Sequence, residues 1–136
     1  MFEIKNCPGT LAPNHTTYST TALRRLFGGK KVSPFMELLY DNEDTTEEIV
    51  ENIKRISISG VQEKLSAVIR KGKICLTPEG EQGLYIIKPA PSNKSLRFRN
   101  QIPANEHLTM QIARQVFAIE TGENGLLFFQ DNTPAY

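Results

Sequence analysis

The sequence predicts a mixed α+β fold, in which helices pack against an antiparallel β-sheet, on three observations. Two runs, residues 65–70 and 73–77, flank the tight turn Lys71-Gly72, which is typical of a β-hairpin. A continuous apolar run over 84–89 predicts a third strand, and because both of its faces are apolar we expect it in the centre of the sheet. The third observation is the helical periodicity of segments on both sides of these strands.

Three helices are predicted, over residues 21–26, 47–54 and 104–117. Ser19 or Thr20 can cap the first helix, and Gly28-Gly29 ends it. The second helix begins with acidic residues and ends with basic ones, as the helix dipole favours, and an apolar stripe that includes Val50 gives it a face to bury. The third helix follows Pro103 and places these residues on one face: Leu108, Ile112, Gln115 and Val116.

Shorter elements complete the predicted fold. Residues 2–4 and 126–129 are predicted to be short strands. Residues 90–102 carry basic side chains without an acid, and we expect a mobile basic loop there, which can serve as a lid. Residues 134–136 resemble the return strand of a hairpin cut off at its beginning, so we expect this chain to be the front part of something larger.

Composition restricts the class of protein. A chain of 136 residues with 39% apolar and 23% charged residues suits one globular domain. Its net charge of +1 gives no electrostatic reason to expect a nucleic-acid or membrane partner. Cys7 and Cys75 lie far apart and outside any Cys/His cluster, so we expect free thiols and no metal site. No signal peptide or long apolar run is present, and the expected location is cytoplasmic.

The stretch 56–64, Ile-Ser-Ile-Ser-Gly-Val-Gln-Glu-Lys, connects the second helix to the first strand of the hairpin. Gly60 can adopt positive φ and let the backbone approach a ligand closely. The hydroxyls of Ser57 and Ser59, with local N–H groups, can surround an anion such as a phosphate. The same residues also suit an ordinary helix-to-strand turn, since no GxGxxG or Walker-type motif is present. Both interpretations stay open at this point.

Lys88 ends the third predicted strand, and Glu106 lies at the start of the third predicted helix. An unpaired charge on a buried strand costs several kcal/mol, so an anion is expected to meet this lysine, with Glu106 as the internal partner. Phosphoryl-transfer sites combine such parts: a loop over the phosphates, a strand lysine and a helix carboxylate. The alternative is that Lys88 faces solvent and Glu106 only gives the first helical turn a favourable charge.

Several segments occur in a characteristic order: Ser57-Ile58-Ser59-Gly60-Val61-Gln62-Glu63-Lys64-Leu65-Ser66, Thr77-Pro78, Tyr85-Ile86-Ile87-Lys88-Pro89, Asn105-Glu106-His107-Leu108-Thr109-Met110, Gly125-Leu126-Leu127, and Asp131 with Ala135-Tyr136. In this combination they resemble the HipA-like serine/threonine kinases, which are toxins of bacterial type II toxin–antitoxin systems. The segment Tyr18-Ser19, followed by Leu23-Arg24-Arg25-Leu26-Phe27-Gly28, is most similar to the HipT branch, whose members lack HipA's extra N-terminal subdomain. The resemblance covers nearly the whole chain.

The resemblance implies that residues 1–136 are a single N-terminal kinase lobe, with short helices in 1–55 and a nucleotide loop, sheet and helix in 56–136. By the same resemblance Lys88 contacts the phosphates of ATP and Glu106 orients Lys88. The loop residues that would hold the phosphates through their backbone are Ser59, Gly60, Val61, Gln62, Glu63 and Lys64. Ser57 and Ser59 match the Ser-x-Ser pair that HipT-like members autophosphorylate. A phosphate adds about −1.5 to −2 charges, so modification would repel ATP and act as an off-switch.

The sequence also departs from the family. It contains no counterpart of the hinge segment Arg-Phe-Asp, of the catalytic aspartate and its nearby asparagine, or of the metal-binding aspartate. We therefore expect no catalytic residue and no metal ligand in this chain, and ATP with Mg²⁺ is implied as the cofactor of the intact kinase, bound only weakly here. The implied partners are a C-terminal catalytic lobe, a HipB-like DNA-binding antitoxin and a small HipS-like protein. The alternative is a stand-alone, non-catalytic binding module whose apolar edge near 126–136 docks a separate kinase lobe or an antitoxin.

Overall fold

The computed structural model describes residues 2–40, 47–55 and 63–136. This part of the chain is mixed α+β, with three α-helices, one three-stranded and one two-stranded antiparallel sheet, which confirms the predicted class. The strands are β1 (Leu65–Arg70), β2 (Lys73–Leu76), β3 (Tyr85–Ile87), β4 (Leu127–Phe128) and β5 (Pro134–Ala135). The helices are α1 (Thr20–Phe27), α2 (Glu47–Arg55) and α3 (Ile102–Gln115), and a 3₁₀ turn, Arg99–Gln101, leads into α3.

Strands β1 and β2 form the predicted hairpin, with Arg70 opposite Lys73. Both turn residues have positive φ, 50° at Lys71 and 74° at Gly72. Two consecutive positive φ angles are what a type I′ turn requires, and its twist matches the right-handed twist of the strands it joins.

The central strand of the three-stranded sheet is β1, since the order is β2-β1-β3. The apolar run 84–89, predicted to be central, contributes β3 at the edge of this three-stranded sheet, but its last residues, Lys88 and Pro89, pair on the other side with Tyr136 and Ala135. Its two faces are apolar, but the core covers only the face of Ile87, while Leu84 and Ile86 are 74% and 59% exposed. Composition shows which side chains tolerate burial, and it does not show whether a second layer covers them.

The two sheets continue one into the other beyond the end of β3. Lys88 donates a backbone hydrogen bond to Tyr136 (2.7 Å) and accepts one from it (3.0 Å), and Pro89 bridges Ala135. Through this pairing the strands follow one another in the order β2-β1-β3-β5-β4. β5 runs antiparallel to β4, as the return strand of the hairpin predicted at 126–136.

The N-terminal residues pack against this sheet without forming a strand. Residues 2–4 lack the predicted β-structure, and the ring of Phe2 instead packs on Phe128, with centroids 4.6 Å apart. Helix α1 has the predicted caps: the Ser19 hydroxyl accepts the N–H of Ala22 at 3.2 Å, and Gly28 ends the helix at φ 61°.

Helix α3 has a different buried face from the one that its apolar residues suggest. Its buried side chains are Pro103, His107 and Gln111. The exposed fractions of Leu108, Ile112 and Val116 are 46%, 42% and 69%. A polar face can be buried here because Gln111 donates to the Asn124 side chain and also accepts from Gln115, so its amide is satisfied inside the protein.

Candidate functional site

The central feature of the candidate site is an ion pair between Lys88 and Glu106. Lys88 follows β3 directly, and Glu106 lies in the second turn of α3. The Lys88 Nζ atom is 2.5 Å from Glu106 Oε1, and the two side chains are 29% and 30% exposed. The pair is therefore partly withdrawn from water but open on one side, so that an anion can approach Nζ from solvent.

The aromatic ring of Tyr136 forms a second wall of this site. Lys88 Nζ lies 5.1 Å from the ring centroid, within the range of a cation–π contact. Burial, followed by the nearby Glu106 carboxylate, raises the pKa of the Tyr136 phenol, and Lys88 offsets this only in part. The phenol therefore stays protonated at neutral pH and can donate a hydrogen bond.

Backbone pairing on both sides holds Lys88 in place. Ile87 pairs with Leu65 of β1, and the next residue, Lys88, pairs in the opposite direction with Tyr136. Since one side of the chain is paired at Ile87 and the other side at Lys88, the backbone at Lys88 has little freedom. The Cα atom of Lys88 is therefore fixed, which helps to hold its ammonium group in one position.

Helix α3 is fixed next to the pair by a polar contact at His107, the residue after Glu106. The Nδ1 atom of His107 lies 2.8 Å from Asn124 Oδ1. The Asn124 oxygen also accepts from Gln111 Nε2 at 3.0 Å, and its amide group donates to the carbonyl of Gly122. The segment before β4 therefore sets the position of the α3 residue that carries the carboxylate.

Two residues of the predicted phosphate loop, Glu63 and Lys64, lie in the described part of the chain. The Glu63 carboxylate accepts hydrogen bonds from the Tyr40 hydroxyl and from the Ser92 hydroxyl, the latter at 2.6 Å. Tyr40 in turn stacks on Phe129, with ring centroids 4.8 Å apart. The end of the predicted loop is thus attached both to the core and to the segment after β3, while both Glu63 and Lys64 are partly buried.

The remaining predicted loop and modification residues lie outside the described residues: Ser57, Ser59, Gly60, Val61 and Gln62. The structure brings together Lys88 and Glu106, the pair chosen from the sequence. It adds Tyr136, Tyr40 and Ser92, which sequence reasoning missed. Of these three, only Tyr136 could have been found from the sequence. If the return strand 134–136 pairs with the strand that ends in Lys88, Tyr136 comes to lie next to Lys88.

An apolar cavity of about 250 Å³ opens beside this site. Lys88 and Tyr136 stand at one side of it, and the remaining lining is mostly core side chains: Tyr18, Leu26, Phe27, Ile74, Tyr85, Ile87 and Leu127. The cavity therefore reaches from the Lys88 site into the space between the sheet and α1.

Two further properties concern the described part of the chain alone. Within residues 2–40, 47–55 and 63–136, no group of three His, Cys, Asp or Glu side chains is placed to hold a metal ion. None of the helices found there is long and apolar enough to cross a bilayer. Comparison with protein-family models finds no match for this chain, and comparison with curated proteins finds none either.

Proposed function

We propose that this chain is the N-terminal, ATP-binding lobe of a HipA-like serine/threonine protein kinase of the HipT branch. The observation that carries the proposal is the ion pair between Lys88, at the end of the third strand, and Glu106, on the helix that follows. In protein kinases a lysine on the third strand contacts the ATP phosphates, and a glutamate on the next long helix must pair with it for activity.

The arrangement of the strands supports the same proposal. The loop 56–64 leads into β1, β1 forms a hairpin with β2, and β3, on the other side of β1, leads directly to Lys88. The loop is therefore joined directly to β1, which is the neighbour of the strand that precedes Lys88. Glu63 ties the end of the loop to Tyr40 and Ser92, which limits how far that end can move from the site.

In this proposal the chain binds nucleotide and does not catalyse transfer. Lys88 contacts the phosphates, Glu106 orients Lys88, and the backbone of residues 59–64 covers the phosphates. ATP with Mg²⁺ is the cofactor of the complete kinase, whose catalytic lobe supplies the base and the metal ligands. Phosphorylation of Ser57 or Ser59 opposes ATP binding by charge repulsion. A HipB-like antitoxin and a small HipS-like protein are the proposed partners, in the cytoplasm.

Titration with Mg·ATP, followed by amide NMR, tests the proposal. We expect saturable shifts at Lys88 and Glu106 with weak affinity, because one half of a two-lobed cleft is present. Lys88→Ala should weaken binding about tenfold or more, since a charge-assisted contact to phosphate is worth roughly 1.5–3 kcal/mol. Glu106→Gln should weaken it less, because the lysine keeps its charge.

Lys94→Ala is the matched control, since it removes an exposed lysine from the loop after β3. It should leave the affinity for Mg·ATP within about twofold of the unmodified chain. Binding that is equally strong in the Lys88→Ala variant would refute the assignment of Lys88. An absence of saturable shifts at millimolar Mg·ATP would refute nucleotide binding by this lobe.

A second candidate function is a stand-alone, non-catalytic binding module. The apolar edge predicted near 126–136 is not available for docking, since its side chains at 127, 129 and 135 are buried. The observation that favours this candidate is a set of exposed apolar side chains elsewhere: Leu84 just before β3, Ile86 on β3, and Leu108 and Ile112 on α3. Exposed apolar patches of this kind often mark protein–protein contacts. This candidate predicts a stable complex with a separate kinase lobe or antitoxin, and no effect of Mg·ATP on that complex.

A further inference from the structure

The ring of Tyr136 lies next to both of the elements that carry the Lys88–Glu106 pair. The Nζ atom of Lys88 is 5.1 Å from the centroid of this ring. The ring of His107, which follows Glu106 on α3, has its centroid 6.5 Å away, within the roughly 4.5–7 Å over which aromatic rings interact. One aromatic side chain therefore stands beside the strand end and the helix at once.

Glu106 alone does not fix the direction of the Lys88 side chain. A lysine ammonium group sits on a long flexible stem, and the Glu106 carboxylate is itself at the tip of a side chain that is 30% exposed. The aromatic ring of Tyr136 has few rotatable bonds between it and the backbone. That backbone exchanges two hydrogen bonds with Lys88, at 2.7 and 3.0 Å. Of the two contacts at Nζ, the ring is therefore the more rigid.

Together the two contacts leave one direction of the ammonium group open. A lysine ammonium has three N–H donors. The Glu106 Oε1 atom accepts from one of them at 2.5 Å, and the face of the Tyr136 ring occupies the direction of a second. Since the Lys88 side chain is 29% exposed, the remaining N–H can reach an anionic oxygen that approaches from solvent.

We propose that Tyr136 is a positioning residue, whose ring holds the Lys88 ammonium group next to Glu106 and directs its remaining N–H toward a bound anion. The inference rests on the proposed function only where it identifies that anion as a phosphate of Mg·ATP. A positioning residue acts through Lys88 and does not itself touch the nucleotide. Because the ring face makes the contact, Tyr136→Phe should preserve the site and Tyr136→Leu should not.

The first measurement needs no nucleotide: it is the NMR order parameter of the Lys88 ammonium group in the complete chain. We expect it to exceed that of Lys94, which is exposed and makes no ion pair within the described residues. Tyr136→Phe should keep the Lys88 value and Tyr136→Leu should lower it to that of Lys94. Phe98→Leu, which removes a ring that is 65% exposed, is the matched control and should change nothing. An unchanged Lys88 order parameter in Tyr136→Leu would overturn the proposal.

The second measurement is titration with Mg·ATP. Tyr136→Leu should weaken binding about three- to tenfold, because the phosphate must then order the lysine, and Tyr136→Phe should stay within about twofold. In a Lys88→Ala background Tyr136→Leu should have no further effect, whereas a merely structural role would weaken binding again. Such an additive loss, or tighter binding in Tyr136→Leu, would overturn the proposal. If the unmodified chain binds no Mg·ATP, the proposed function fails, and the order parameter alone decides the role of Tyr136.

Discussion

At the scale of single residues, His107 has the most constrained environment. Its side chain is fully buried, and Nδ1 contacts Asn124 Oδ1, which also accepts a hydrogen bond from Gln111. Because an amide oxygen can only accept, Nδ1 is the donor. The Nε2 atom has no hydrogen-bond partner among the described residues. Burial lowers the pKa of His107 below the ordinary 6.5, and the hydrogen bond to Asn124 opposes this only in part. The imidazole is therefore neutral in the folded protein at pH 7 and above.

We expect the free energy of unfolding to fall as the pH drops below about 6.5. Because the folded pKa of His107 is lowered, the unfolded chain binds more protons in this range, so the stabilisation is complete above pH 6.5 and is lost below it. Urea denaturation at pH values from 8 to 5.5 measures the slope. His107→Gln should flatten this slope. An unaltered slope in His107→Gln would assign the effect to other groups.

The part of the candidate site that could be predicted consists of residues whose own strand or helix is recognisable in the sequence. Lys88 and Glu106 could be paired from sequence because a lysine that ends an apolar strand needs an anion, and Glu106 at the start of the next predicted helix can supply it. The contact between Tyr40 and Glu63 could not, since the two residues are 23 positions apart and neither carries a pattern that predicts it. His107 was also missed, because a histidine between Glu106 and Leu108 gives no sign of which helix face is buried.

At the scale of elements, one amide side chain of α2 bonds directly to the backbone of β1. Asn52 is 1% exposed. Its Oδ1 accepts the backbone N–H of Ser66 at 2.8 Å, and its Nδ2 donates to the Ser66 carbonyl at 3.1 Å. The side chain thus imitates a neighbouring strand at the start of β1. Since α2 precedes the loop 56–64 and β1 follows it, this contact holds the two elements that the loop connects.

Asn52→Ala should lower the free energy of unfolding by about 1–3 kcal/mol, because it leaves the partly buried N–H of Ser66 without this partner. Urea denaturation monitored by circular dichroism measures the loss. Val50→Ala is the control, since Val50 lies on the same helix and is 40% exposed, so its change should stay within about 0.5 kcal/mol. Equal losses in the two variants would contradict a specific role for the amide.

The predictions for strands and helices failed where the burial of a face depends on which other elements pack against it. The β1–β2 hairpin was predictable because Lys71-Gly72 fixes the turn locally. The run 84–89 does lie between β1 and β5, but the core covers only one of its faces, and its apolar residues do not show which one. On α3 the most apolar stripe, with Leu108 and Ile112, is exposed, and the amides of Gln111 and Asn124 satisfy one another beneath the other face.

At the scale of the whole molecule, the N-terminal residues are joined to the end of the chain. The N–H of Leu126 donates to the Pro8 carbonyl and the N–H of Met36 donates to the Phe128 carbonyl, both at 2.8 Å. The hydroxyl of Tyr18 donates to the Leu126 carbonyl at 2.6 Å. These contacts link segments more than ninety positions apart, so the sheet and the N-terminal segment share one core.

We therefore expect residues 2–40 and 63–136 to unfold in a single transition that depends on Phe129. This ring is fully buried and stacks on Tyr40, so Phe129→Ala should lower the free energy of unfolding by about 3–5 kcal/mol. Hydrogen exchange in α1 and in β1 should accelerate by the same factor, because both opening reactions are then global. Phe98→Ala, at a ring that is 65% exposed, should change neither. Exchange that accelerates in β1 alone would contradict a shared core and would instead divide the chain into two independently stable parts.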